Sequence, residues 1–345
     1  MIFMTVTEIK SMLGTREYDF LRENPHLGNN ICYITLGGSH AYGTNIEGSD
    51  VDIRGIALNT KEEILLGRDF EQVVNTDTDT TIYSFKKIVN LLSNINPNTI
   101  ETMYTRPDHV LYMSEAGKIL RDNRDVFLSK KCVYSFGGYA NQQLRRLVNK
   151  SARLVSQAER EEHIMNSIRC ASYFFKEKYF DFEEDAIKLF LDDAISEDMQ
   201  KEIFMDITLK HYPLRDWKAM WAEMSNIVKD YDKIGHRNSN AIGRGKLAKH
   251  MMHLVRLYLM CFDILEGKEI STYRGKEHDF LMSIRSGTYL DENEQPTPEF
   301  MEMVDEYENK LQLLATTTLL PDLPDYDKIN KIVMDVHEAI VYGKY

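Results

Sequence analysis

Apolar and polar positions recur with two different periods along this chain, and the change of period divides it. In the first third the apolar runs are short, rich in β-branched residues and bounded by glycine, which predicts strands over Ile31–Leu36 and Val51–Leu58. Phe70–Phe85 holds two β-prone runs separated by polar turn residues near Asn75–Asp77, the pattern of a hairpin. Lys86–Ile95 then takes up helical spacing and stops at Asn96-Pro97, because a residue before proline is pushed out of the α region. From about Ser114 onward the pattern is almost entirely helical. Tyr139–Arg160, Lys246–Lys268 and Pro298–Ala315 all carry the i, i+3, i+4 spacing, and Gly267 is placed to cap the second of them. The prediction is an α+β protein with a small mixed-sheet domain over residues 1–128 and a helical domain over 129–345.

Length and composition narrow this picture. A chain of 345 residues can bury a sizeable core and favours two domains. No apolar run approaches membrane-spanning length, and Met1–Leu13 lacks the charged start and small-residue cleavage site of a signal peptide. Cytoplasmic residence without a membrane is expected. Cys32, Cys132, Cys170 and Cys261 are far apart and read as reduced thiols, without disulfide or zinc spacing.

The net charge of −12 argues against nonspecific coating of nucleic acid. Charge is unevenly spread, however. Lys130–Arg160 holds seven Lys/Arg against one acid, and Arg244–Arg256 holds four and none. Such segments can hold a polyanion locally.

Candidate chemistry concentrates in the glycine-rich stretch Gly37–Gly55, GGSHAYGTNIEGSDVDIRG. Three readings compete: a solvated surface turn, a nucleophilic serine, or a phosphate cradle beside a metal site. Gly37-Gly38-Ser39-His40-Ala41 approximates a nucleophile elbow, but that motif requires a helix directly after the serine. Tyr42–Asn45 is poor helix material, so the serine nucleophile is set aside. Within a strand, Asp50, Asp52 and Arg54 would share one face while Val51 and Ile53 pack on the other. Two adjacent same-face carboxylates repel each other unless a cation lies between them, and hard oxygen donors of this kind suit Mg²⁺ supplemented by phosphate. The glycines let backbone N–H groups approach a polyphosphate, and the Ser39 hydroxyl adds a donor. The chain has no P-loop sequence. The third reading survives.

Gly38-Ser39 followed by Asp50-Val51-Asp52 resembles the signature of the DNA polymerase beta nucleotidyltransferase superfamily. The fuller wording, Gly38–Thr44 and then Ser49–Gly55, is similar to the branch of predicted bacterial and phage nucleotidyltransferases associated with RNA repair and RNA ligases. The likeness extends through Asp79–Tyr83 with Lys87, Asn96-Pro97-Asn98, Glu101, Gly138–Ala140, Gln143-Leu144, and Lys249, His253, Arg256-Leu257. It implies three carboxylates holding two Mg²⁺ ions. Asp50 and Asp52 supply two of them, and Asp79 supplies the third by its place before Thr80–Tyr83, with Asp77 as rival. The activity implied is transfer of a nucleoside monophosphate from an NTP to a hydroxyl, with Gly38 and Ser39 positioning the phosphates. The acceptor implied is an RNA or tRNA 3′ end in repair. The alternatives are nucleotidylation of a protein, as in antitoxin-like enzymes, and a nucleotide-binding regulator without transfer.

Other residues admit two readings each. Arg54 either contacts phosphate or neutralises Asp52. Lys249, His253 and Arg256 share one face of a largely apolar helix and need an anionic partner, either the triphosphate or an acidic helix. Arg146, Lys150 and Arg153 repeat the spacing and suit either the phosphates of an acceptor strand or a solvated face. Tyr42 and Tyr83 either stack on a base or pack, and His40 either touches phosphate or bonds the turn backbone.

Overall fold

The structure is a computed structural model that describes residues 4–140, 161–162, 164–166, 168–169, 175, 178–195, 200–236, 244–292 and 295–344. Five strands form one mixed sheet: β1 (Ile31–Leu36), β2 (Ile53–Ala57), β3 (Gln72–Asn75), β4 (Thr80–Ser84) and β5 (Val110–Met113), in the order β3-β4-β2-β1-β5. β2 and β4 run parallel, with Ile53 opposite Thr80, while the other neighbours are antiparallel. β1 is buried along its whole length, which is why its sequence is apolar on both faces in place of alternating, with the hydroxyl of its one threonine, Thr35, hydrogen-bonded to His109 O. One core lies where Ile34, Leu36, Ile53 and Ile82 meet Ile9, Tyr18 and Leu21 from the N-terminal turns.

Local signals fix the helices that frame the site. Ser84 caps the helix Phe85–Ser93 by accepting from Lys87 N–H at 3.1 Å. Asn96 caps Pro97–Met103, with Pro97 at the first helical position where its missing N–H costs nothing. The hairpin Gln72–Ser84 and the helix before Asn96-Pro97 stand as the sequence predicts. The helices Arg244–Leu265 and Pro298–Thr317 match the expected segments to within a few residues. The expected helix Tyr139–Arg160 lies almost wholly outside the described residues.

Three expectations need correction. The second strand begins at Ile53, two residues later than Val51, so Asp50 precedes the strand and β alternation does not place it. A helix does follow Gly37: Gly38–Tyr42 is helical and ends at Gly43. It is a short one, in which Gly38 takes the left-handed φ of +54° and Ser39 is an ordinary helical residue, whereas a nucleophile elbow strains the serine itself. The region after Ser114, expected to be almost entirely helical, contains a hairpin: β6 (Ile187–Asp193) pairs antiparallel with β7 (Lys201–Ile207).

Two compact units emerge. One comprises Met1–Gln143, Met251–Tyr289 and Pro298–Tyr345, the other Leu144–His250 and Leu290–Thr297. The five-stranded sheet therefore shares its unit with the C-terminal helices, stitched by backbone bonds such as Lys130 N–H to Pro321 O (2.8 Å) and Asp325 N–H to Val126 O (3.0 Å). The second unit has its own core, in which Leu189 meets Met165, Ile168, Met220 and Met224. Among the described residues, no helix is long and apolar enough to cross a membrane.

Candidate active site

The end of β1 turns sharply into the short helix Gly38–Tyr42, and this turn sits against the residues that lead into β2. Gly37 N–H donates to Asp52 O at 2.8 Å. A Cβ on Gly38 would lie 1.9 Å from Asp52 Oδ2, so only glycine lets the Asp52 carboxylate rest on the turn. Because β2 and β4 are parallel neighbours in register at Ile53 and Thr80, Asp52 and Asp79 stand abreast, each immediately before its strand. Ile53 N–H donates to Asp79 O at 3.2 Å, and Asp79 adopts a φ of +45° to turn into β4. Asp77, the rival acid, lies in the turn, where its N–H donates to Asn75 Oδ1 at 3.1 Å. Asp50 and Asp79 are exposed.

Arg54 binds this corner together. Its Nη2 donates to Asp52 Oδ1 at 2.9 Å, and its Nη1 donates to Asp79 O at 2.7 Å and Ile53 O at 2.9 Å. The ion-pair reading of Arg54 thus describes this structure. His40 Nε2 lies 3.5 Å from Ser49 O, on the turn backbone. Ser39 is buried in the short helix, and its carbonyl accepts from Thr44 N–H at 3.0 Å.

Beside this corner opens a cleft of about 110 Å³. Gly38, Tyr42, Asp52 and Arg54 form one wall; Asn98, Glu101, Thr102 and Thr105 from the helix Pro97–Met103 and its end form another, closed by Thr272. Behind the wall, Arg256 stacks its guanidinium 3.6 Å from the centroid of the Tyr42 ring and donates to Glu101. Tyr42 O–H donates to the other Glu101 oxygen at 2.8 Å. Thr272 Oγ1 donates to Glu101 O at 2.6 Å, and Arg274 N–H to Tyr42 O at 3.0 Å. Burial pushes the Tyr42 phenol well above its ordinary range; Arg256 works against that and Glu101 with it. Burial disfavours the Arg256 charge, but Glu101 and Tyr42 together outweigh it and raise its pKa.

The sequence-predicted residues therefore separate. Gly38, Asp52, Arg54 and Asp79 meet at one corner, with Ser39 on the helix that leaves it. Arg256 is buried against Glu101, so in this structure its anionic partner is a single carboxylate on the helix Pro97–Met103 and not one of the acidic helices. His253 Nδ1 lies 2.8 Å from Arg256 Nη2. Lys249 is exposed and belongs to the second unit. Arg146, Lys150 and Arg153 lie outside the described residues. Thr102, Thr105 and Thr272 carried no sequence signal, since hydroxyls in a helix and a loop have no diagnostic spacing.

Carboxylate oxygens of Asp52 and Asp79, with Asp50 just upstream, are hard donors of the kind Mg²⁺ prefers, and the missing Cβ of Gly38 lets the Asp52 carboxylate lie directly against the turn. As they stand, no three Asp, Glu, His or Cys side chains converge on a common point among the described residues.

Fold and site define a mixed-sheet α/β domain with a glycine turn beside paired aspartates. Residues 15–175, a little under half of the chain, match the model of RlaP, the RNA repair pathway DNA polymerase beta family. A protein of Enterobacteria phage T4, an uncharacterized 38.9 kDa protein in the nrdC-mobD intergenic region, is 26% identical over 161 residues. That alignment covers 43% of this chain and 45% of the phage protein, so the match spans less than half of the relative. No solved structure matches the chain.

Proposed function

We propose that this protein is a Mg²⁺-dependent nucleotidyltransferase that moves a nucleoside monophosphate from an NTP to the hydroxyl of an RNA 3′ end. The observation that carries the reading is the placement of Asp52 and Asp79 abreast at the start of two parallel strands, beneath the Gly37-Gly38 turn. In this reading Asp50, Asp52 and Asp79 would hold the metal, with two ions as the family resemblance implies. Bound there, Mg²⁺ would neutralise the triphosphate and acidify the attacking hydroxyl.

The chain's own groups do the rest. The backbone at Gly38 and the hydroxyl of Ser39 orient the β- and γ-phosphates, and Arg54 supplies a fork suited to phosphate oxygens. Asp79 takes the proton of the attacking hydroxyl as its oxygen bonds to the α-phosphorus and the bond to pyrophosphate breaks. Tyr42, Glu101 and Arg256 bind one another and so hold the short helix against the cleft wall. RNA as acceptor is supported by the family description and by the basic segment that contains Arg146, Lys150 and Arg153.

Incubation with Mg²⁺ and each α-labelled NTP, in the presence of bulk RNA and cell-extract protein, tests the proposal by where the label goes. Label on RNA 3′ ends is the expected result. Label confined to protein would identify a protein nucleotidyltransferase, and NTP binding without transfer would identify a regulator.

A further inference from the structure

Arg54 holds one oxygen of the Asp52 carboxylate, which the proposed metal site would need. One guanidinium nitrogen is hydrogen-bonded to Asp52 Oδ1, and the other is anchored by the carbonyls of Asp79 and Ile53. The pair lies at the cleft wall, not in the core: the Arg54 and Asp52 side chains keep 26% and 27% of their surface. The stem lies across the glycine turn, since a Cβ on Gly37 would stand 3.0 Å from Arg54 Cγ. A guanidinium keeps its charge at any pH the fold survives. The Asp52 charge is therefore met before any metal arrives.

We propose that Arg54 is a built-in counter-ion that competes with the divalent cation for Asp52 and is released when cation and triphosphate arrive together. This rests on the nucleotidyltransferase reading of the same corner. A triphosphate offers the guanidinium an anionic partner of matching fork geometry, so the nucleotide removes the obstacle to the metal. By linkage, metal and nucleotide then strengthen each other's binding by equal factors. The corner stays neutral and inactive until both are present. The competing account, in which Arg54 holds Asp52 in the right place for the metal, predicts the opposite sign.

The test is Mn²⁺ binding to the full-length protein by electron paramagnetic resonance, without nucleotide, for wild type, Arg54→Gln, Arg54→Lys and Asp52→Ala. The latch predicts that Arg54→Gln binds Mn²⁺ about two- to fivefold tighter, the range a partly exposed ion pair commands. Arg54→Lys tightens too, to a smaller degree, because an ammonium cannot fork between the Asp52 carboxylate and the Asp79 carbonyl. Weaker or unchanged binding in Arg54→Gln overturns the latch. So does tighter binding in Arg54→Gln with Arg54→Lys identical to wild type, which would reflect charge alone. If Arg54→Gln loses its cooperative melt in chelator, the sign of the Arg54→Lys change decides. Failure of every variant to bind Mn²⁺ overturns the latch and leaves the nucleotidyltransferase reading to the RNA-labelling assay, whereas wild-type binding abolished by Asp52→Ala supports that reading whatever Arg54 does.

Discussion

Glu101 and Arg256, 155 residues apart, form an ion pair almost closed to solvent, with side chains 6% and 1% exposed. The pair fastens the helix Pro97–Met103 to the helix Arg244–Leu265, and the stacked Tyr42 ties both to the glycine turn.

Breaking such a pair from one side leaves a buried charge alone, which is costlier than losing both partners. Arg256→Met should therefore lower unfolding free energy by about 3–5 kcal/mol in a urea titration. Glu101→Leu combined with Arg256→Met should cost less than the sum of the single changes.

Gly38 is required both for its φ of +54° and for the 1.9 Å gap to Asp52 Oδ2. Gly48 has a similar φ of +76°, but a Cβ there would meet nothing within 4 Å. Gly48→Ala should thus lose only the backbone component, about 1–2 kcal/mol. Gly38→Ala should lose more and also displace Asp52, so that a melting curve and Mn²⁺ affinity change together for Gly38→Ala and only the melt changes for Gly48→Ala.

Burial holds the imidazoles of His109 and His337 below their ordinary pKa. His109 faces Asp108, Arg106 and His40, and His337 faces Asp69 and Lys86; none of these overrides burial. Each histidine is neutral when folded at a pH where the unfolded chain takes up a proton. Stability is therefore full above the unfolded value of about 6.5 and falls as pH drops below it toward the depressed folded value. Urea midpoints measured from pH 7.5 to 5.5 should decline, and His109→Gln with His337→Gln should flatten the decline. The carboxylates held low, such as Asp108, act only at more acidic pH.

Much of this fold was legible because local rules dominated. The Ile31–Leu36 run, the turn after Asn75 and the stop at Asn96-Pro97 each follow from side-chain pattern or backbone chemistry at the same place. The strand Ile187–Asp193 was not legible, since a short apolar run among acids reads equally as helix or strand until its partner Lys201–Ile207 is known. The short helix at Gly38 escaped because glycine disfavours helix on its own, whereas tertiary contact with Asp52 decides here. Asp50 and Asp52 stand out in the sequence through the glycine-rich motif around them. That Asp52 is abreast of Asp79 depended on strand register, and that Arg256 faces Glu101 depended on packing across 155 residues.

The central claim is that Asp52 and Asp79 act as one centre for nucleotidyl transfer. It is tested most directly by transfer of α-labelled NTP to RNA with Mg²⁺, comparing wild type with Asp52→Asn and Asp79→Asn while monitoring the fold by melting. The account predicts labelled RNA 3′ ends with wild type, and a fall of about a hundredfold or more for each variant, the scale of losing one charge-stabilising group from a reaction centre. Transfer that continues at the wild-type rate in either folded variant would contradict it.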